Sequence, residues 1–97
     1  MITPKSYTHQ ELSLVWNMAM IVPGTDPNVR RKDVCGAWID WIAFGDRNSN
    51  FGWEVDHKIP LSKGGAHHIN NVQPLHWQNN AKKSDGPLVC AVTATRG

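Results

Sequence analysis

The residues with the clearest chemical capacity stand between positions 53 and 85, in the segment WEVDHKIPLSKGGAHHINNVQPLHWQNNAKKSD. Asp56 and His57 are neighbours there, and Asn80 follows 24 positions after Asp56. A hard divalent cation such as Mg²⁺ prefers oxygen donors and keeps several of its waters, so one carboxylate and one amide oxygen are a sufficient protein contribution. Asp56 and Asn80 can supply that pair. An imidazole titrates near neutrality and can take a proton from water, which suits His57 to the work of a general base. The chemistry these types allow is hydrolysis by an activated water beside one metal ion. His76 lies four positions before Asn80, so on one helix the two would share a face and could bind metal jointly. A packing or phosphate-contacting role for His76 is preferred over that one. Lys63, Lys82 and Lys83 are cations placed where they could meet phosphate oxygens, which anchors a nucleic-acid backbone without reading its sequence.

Several elements must position these groups. FGWEVDH alternates Trp53 and Val55 with Glu54 and Asp56, as a half-buried strand does. In such a strand Asp56 and His57 point to opposite faces, so a shared site needs a bend or a strand end, which the loop from Lys58 supplies. NVQPL, at 71 to 75, reads as a second short strand, with Pro74 suggesting an edge. KIPLSKGGAHHIN between them is a long loop, and a loop of that length in a small domain is usually functional. HWQNNAKKSDG reads as a helix stopped by Gly86 and Pro87. Upstream, residues 9 to 20 carry Leu12, Val15, Trp16 and Met20 at helical spacing, with Thr8 and Glu11 as a capping box. IVPGTDPNVR is a loop into the basic triplet Arg30, Arg31 and Lys32, which reads as a solvated run or a phosphate contact. VCGAWIDWIAF, at 34 to 44, fits neither period cleanly and is expected to be helical or mixed. The segment from position 88 onward carries no clear signal.

The stretch from Trp53 to Asp85 resembles the HNH endonuclease family. The family's pattern is an acid and a His on a first strand, a glycine-containing loop, an Asn opening a second strand, then Asn or His on a helix followed by Lys. Those positions fall here on Asp56 and His57, on Gly64 and Gly65, on Asn71, and on Asn80 with Lys83. The resemblance implies an α+β fold, a ββα-metal finger with an N-terminal helical elaboration, in a single domain over 1–97 with its core motif at 53–85. It implies that Asp56 and Asn80 hold one divalent cation, Mg²⁺ or Mn²⁺, with Ni²⁺, Co²⁺ or Zn²⁺ as other occupants. His57 would activate the water without binding metal, and Asn71 would brace the loop and help orient the histidine. The implied activity is cleavage of double-stranded DNA to 5′-phosphate and 3′-hydroxyl ends, in a protein of the kind that phages and mobile elements carry. Many family members have a zinc-binding Cys at position 76; this sequence lacks that cysteine set, which argues against a structural zinc. His67 and His68 stand where the family often has acids, and read as a solvated pair. The rival reading is a nucleic-acid-binding or assembly module that keeps the finger without turnover; retention of Asp56, His57 and Asn80 together favours the enzyme.

Bulk properties fit this outline. Ninety-seven residues make one small domain, and the five tryptophans supply the apolar area that so small a core needs. From His57 onward five Lys/Arg face one acid, whereas residues 1 to 56 carry five against seven, so the positive charge gathers in the second half. Cys35 and Cys90 stand far apart with no C-x-x-C spacing, and reduced thiols are expected. No apolar run approaches membrane-spanning length, and the start lacks a signal-peptide pattern, from which a soluble cytoplasmic protein with no membrane partner is expected.

Overall fold

The computed structural model describes residues 7–93. Among them are two α-helices and two small antiparallel sheets. Helix α1 (His9–Trp16) opens with both halves of the capping box: Glu11 N donates to Thr8 Oγ1 at 3.0 Å, and Thr8 N donates to Glu11 Oε1 at 2.9 Å. It ends at Trp16, short of the expected Met20, because the chain there turns into extended pairing. Met20 N donates to Lys32 O at 2.7 Å and Lys32 N to Met20 O at 3.0 Å.

Strands β1 (Arg30–Lys32) and β2 (Trp38–Asp40) form the first sheet, with Arg31 opposite Ile39. The basic triplet is thereby divided by strand alternation. Arg31 turns inward and is buried, giving Nε to Pro27 O and Nη1 to the carbonyls of Trp16 and Ala19. Arg30 pairs with Asp40 and lies over the Phe51 ring, and Lys32 lies over Trp38. The triplet is therefore not a free solvated run: Arg31 is interior, and Arg30 and Lys32 each have a local partner. After β2 the chain makes a 3₁₀ turn (Trp41–Ala43), so the 34–44 stretch is mixed, as its pattern suggests.

The second sheet pairs β3 (Trp53–His57) with β4 (Val72–His76), register Asp56 opposite Gln73 and His57 opposite Val72. Helix α2 (Trp77–Lys83) follows β4 directly. The core joins α1 to both sheets through Val15, Trp16, Ala19, Ile39, Trp53 and Val72. Trp16 and Trp53 are its fully enclosed aromatics, and Trp41 closes a three-ring cluster at centroid distances of 5.3 to 6.1 Å.

The cysteines correct the expectation of free thiols: Cys35 and Cys90 form a disulfide, their Cα atoms 5.6 Å apart. Fifty-five residues separate them, and only the return of the chain after α2 to the β1–β2 connection brings them together, which spacing alone does not reveal. The reduced thiols that supported a cytoplasmic reading are therefore gone. Among the described residues no helix is long and apolar enough to cross a membrane.

Candidate active site

Strand β3 divides its side chains between two environments. Trp53 and Val55 pack into the core, while Glu54 and Asp56 face α2. On the α2 side Asp56 is buried at 4 % exposure, and both of its oxygens are engaged: Oδ1 by Lys83 Nζ at 3.3 Å, Oδ2 by Gln73 Nε2 at 3.0 Å. Gln73 reaches it because it is the residue directly across the sheet. One turn back along α2, Asn80 Nδ2 donates to Glu54 Oε1 at 2.8 Å. Its Oδ1 accepts no hydrogen bond among the described residues. Glu54 also holds Arg47 bidentately, from Nε at 2.7 Å and Nη2 at 2.8 Å. Burial pushes the Glu54 carboxyl up, but the hydrogen bonds from Arg47 and Asn80 and the Arg47 charge outweigh it, so the group stays below its ordinary value.

His57 ends β3 and meets the loop instead of α2. Its Nε2 lies 2.8 Å from His67 Nδ1, and the Tyr7 ring flanks His67 at 5.9 Å between centroids. The proton affinity of His57 is lowered, first by burial and then by the charge of His67, with Lys83 adding to these against the attraction of Asp56. The neutral imidazole is thus favoured.

Asn71 organises the loop that carries His67. Its Oδ1 accepts from Ile59 N at 2.9 Å, and its Nδ2 donates to Ile59 O at 3.0 Å and Ala66 O at 2.8 Å. Gly65 lets the two ends of the loop approach: a Cβ there would collide with the Ile59 carbonyl. No hydrogen bond joins Asn71 to the His57 ring; its side chain reaches Ala66, the residue before His67.

Among the described residues no three His, Cys, Asp or Glu side chains cluster to hold a metal. Asp56 on β3 and Asn80 on α2 offer oxygen donors, the type that a hard cation takes while keeping its waters. An ionised carboxylate offers about four lone-pair directions, and Asp56 uses two; Asn80 Oδ1 is open.

Residues 44–86 match the family described as HNH endonuclease. This stretch, a little under half of the chain, is similar to HNH endonuclease domains. The match takes in β3, the loop, β4 and α2, and the family indicates a nuclease-type function. No curated protein and no solved structure matches the chain.

The expected nucleic-acid contacts are placed unequally. Lys63 and Lys82 are exposed. Lys83 is buried, with Nζ donating to His57 O at 3.0 Å as well as pairing with Asp56, which corrects its reading as a surface phosphate anchor. His76 is corrected in the same way. It is 1 % exposed and ends β4, its Nδ1 accepting from Gln78 N at the start of α2 and its Nε2 meeting Asn50 O at 2.7 Å. It therefore shares no helix face with Asn80, and packing is its role.

A buried hydrogen-bond centre ties the start of α2 to the β1–β2 connection. Asp33 Oδ2 accepts from His76 N and Asn79 Nδ2, and Oδ1 from the backbone N–H groups of Cys35 and Ala37. Asn79 also clasps Val92 in both directions. Sequence reasoning missed Asp33, Glu54, Arg47 and the partnership of His67 with His57. The alternation of Glu54 with Asp56 was the one available signal, since it puts two carboxylates on one strand face.

Proposed function

We propose that the protein is a metal-dependent endonuclease that hydrolyses phosphodiester bonds of double-stranded DNA, built on a ββα-metal finger of β3, β4 and α2. His57 is the general base, Asn71 its positioning residue, and Asp56 with Asn80 holds one divalent cation, Mg²⁺ or Mn²⁺. The observation that carries this reading is the division of labour at the end of β3: oxygen donors on the α2 side at Asp56 and Asn80, and one residue on a neutral imidazole facing the loop.

When bound, the cation would polarise the phosphate and offset the charge that develops on the leaving 3′ oxygen. The rest falls to the side chains. His57 takes the proton from the attacking water, and this requires a free ring nitrogen. Nε2 faces His67, so the productive tautomer carries its proton on Nε2, donates it to His67 Nδ1, and leaves Nδ1 as the base. Asn71 keeps the loop, and with it His67, at the distance this tautomer needs. Lys63 and Lys82 are free to meet phosphates on either side of the bond that breaks.

The test is incubation of supercoiled plasmid with the purified chain and Mg²⁺ or Mn²⁺, in parallel with excess chelator. Nicked or linear product that appears only with the metal supports the reading. Retardation of DNA without any cleavage would instead favour the binding-module alternative.

A further inference from the structure

Glu54 stands two residues before Asp56 on the same face of β3, and its carboxylate is taken up from three directions. Oε1 accepts from Asn80 Nδ2 at 2.8 Å and from Arg47 Nη2 at 2.8 Å, and Oε2 accepts from Arg47 Nε at 2.7 Å. The two ends of an Asn amide differ: one only donates, the other only accepts. An ionised carboxylate has no proton to give, so it tolerates only the NH₂ end of Asn80. The flipped amide would set two oxygens against each other with no hydrogen between them. The planar fork of Arg47 fixes the carboxylate in turn, since a bidentate guanidinium allows little rotation. Arg47 is itself backed by the Trp77 ring, 5.8 Å from its Cζ, on the first residue of α2.

We infer that Glu54, braced by Arg47, is a positioning residue that sets the amide of Asn80, holding its Nδ2 so that Oδ1 is left as the cation donor. This rests on the reading of Asn80 as a metal ligand. Outer partners of this kind orient ligands and typically change metal affinity by about 10- to 100-fold when removed.

The experiment is calorimetric titration of the purified full chain with Mn²⁺, with thermal melting as a check on folding. The chains compared are the parent, Asn80→Ala, Glu54→Ala, Glu54→Gln, Arg47→Ala and the double variant Glu54→Ala/Asn80→Ala, with Arg47→Ala also made on the Asn80→Ala background. Glu54→Ala is expected to weaken Mn²⁺ binding about 10- to 100-fold. Glu54→Gln should lose less, because it keeps an oxygen for Asn80 but no charge for Arg47. The double variant should bind no more weakly than Asn80→Ala alone, since Glu54 acts only through Asn80. If Glu54→Ala fails to fold, the exposed Arg47 substitution decides: it should weaken binding several-fold in the parent and not at all on the Asn80→Ala background. Parent affinity in both Glu54→Gln and Arg47→Ala would overturn the inference. A double variant weaker than Asn80→Ala would also overturn it, making Glu54 a ligand in its own right. Asn80→Ala at parent affinity, or a parent that takes up no Mn²⁺, would instead remove the reading beneath it.

Discussion

Lys83, at the end of α2, fastens the end of β3: its ammonium donates to the carbonyl oxygen of His57 at 3.0 Å and pairs with Asp56 Oδ1 at 3.3 Å. Both side chains of the pair are only 4 % exposed, so water screens neither charge. Removing one partner of a buried pair strands the other, at a cost of about 3–5 kcal/mol. Lys83→Met, which keeps most of the stem, should therefore destabilise the fold by about that amount in urea denaturation. A change below about 1 kcal/mol, the usual worth of an exposed pair, would mean that Lys83 is solvated.

His57→Ala should retain DNA binding and lose cleavage by about 10²- to 10⁴-fold, the usual contribution of a proton-transfer group. Because burial, His67 and Lys83 lower its proton affinity, His57 stays neutral to lower pH than an ordinary histidine. The acid limb of the rate profile should rise with a midpoint below about 6.5 and be flat above it. A midpoint above that value in the parent, or an unchanged limb in the variant, would count against His57 as the base.

Asn80→His should keep measurable cleavage. One ring nitrogen can donate to Glu54 as the amide does, and the other can face a cation. Imidazole is a softer donor than an amide oxygen, so the preferred metal should move from Mg²⁺ toward Mn²⁺, Co²⁺ or Ni²⁺. Asn80→Ala has no donor and should be inactive with every ion; plasmid cleavage at the parent rate by that variant would exclude Asn80 as a ligand.

Gly65→Ala places a methyl group against the Ile59 carbonyl and close to Asn71 Nδ2. The loop must open to admit it, and the Asn71 hydrogen bonds then fail together. Loss of about 1–3 kcal/mol and faster amide exchange at Ile59 are expected. Unaltered exchange would show that the loop does not depend on the close approach.

How much of this was legible depends on what each feature rests on. The capping box at Thr8 and Glu11 and the alternation in β3 are local, and the chain displays them directly; α2 instead ends at Ser84, φ 47°, before the glycine expected to stop it. The Asn71 role rested on the family resemblance; its bonds to Ile59 and Ala66 depend on how the loop closes, which the sequence does not display. The interiors of Arg31, Lys83 and His76 were not legible. A charged or polar side chain is buried only where distant groups meet it, such as Asp56 for Lys83 and the 16–27 carbonyls for Arg31. The same holds for Asp33, whose partners lie 43 and 46 residues away, and for Cys35 and Cys90.

The Cys35–Cys90 bond has a topological consequence. It closes a covalent ring that contains Arg47, Glu54, Asp56, His57, Asn71, Asn80 and Lys83. A single backbone cut at the exposed tip, between Ser62 and Lys63, would open that ring without dividing the molecule. The strand bearing Asp56 and the helix bearing Asn80 would then belong to separate peptides still tethered at one point, and the nicked protein could reassemble its two halves as an intramolecular event. Reduction would release them as two fragments, making the pairing of β3 with α2 depend on concentration.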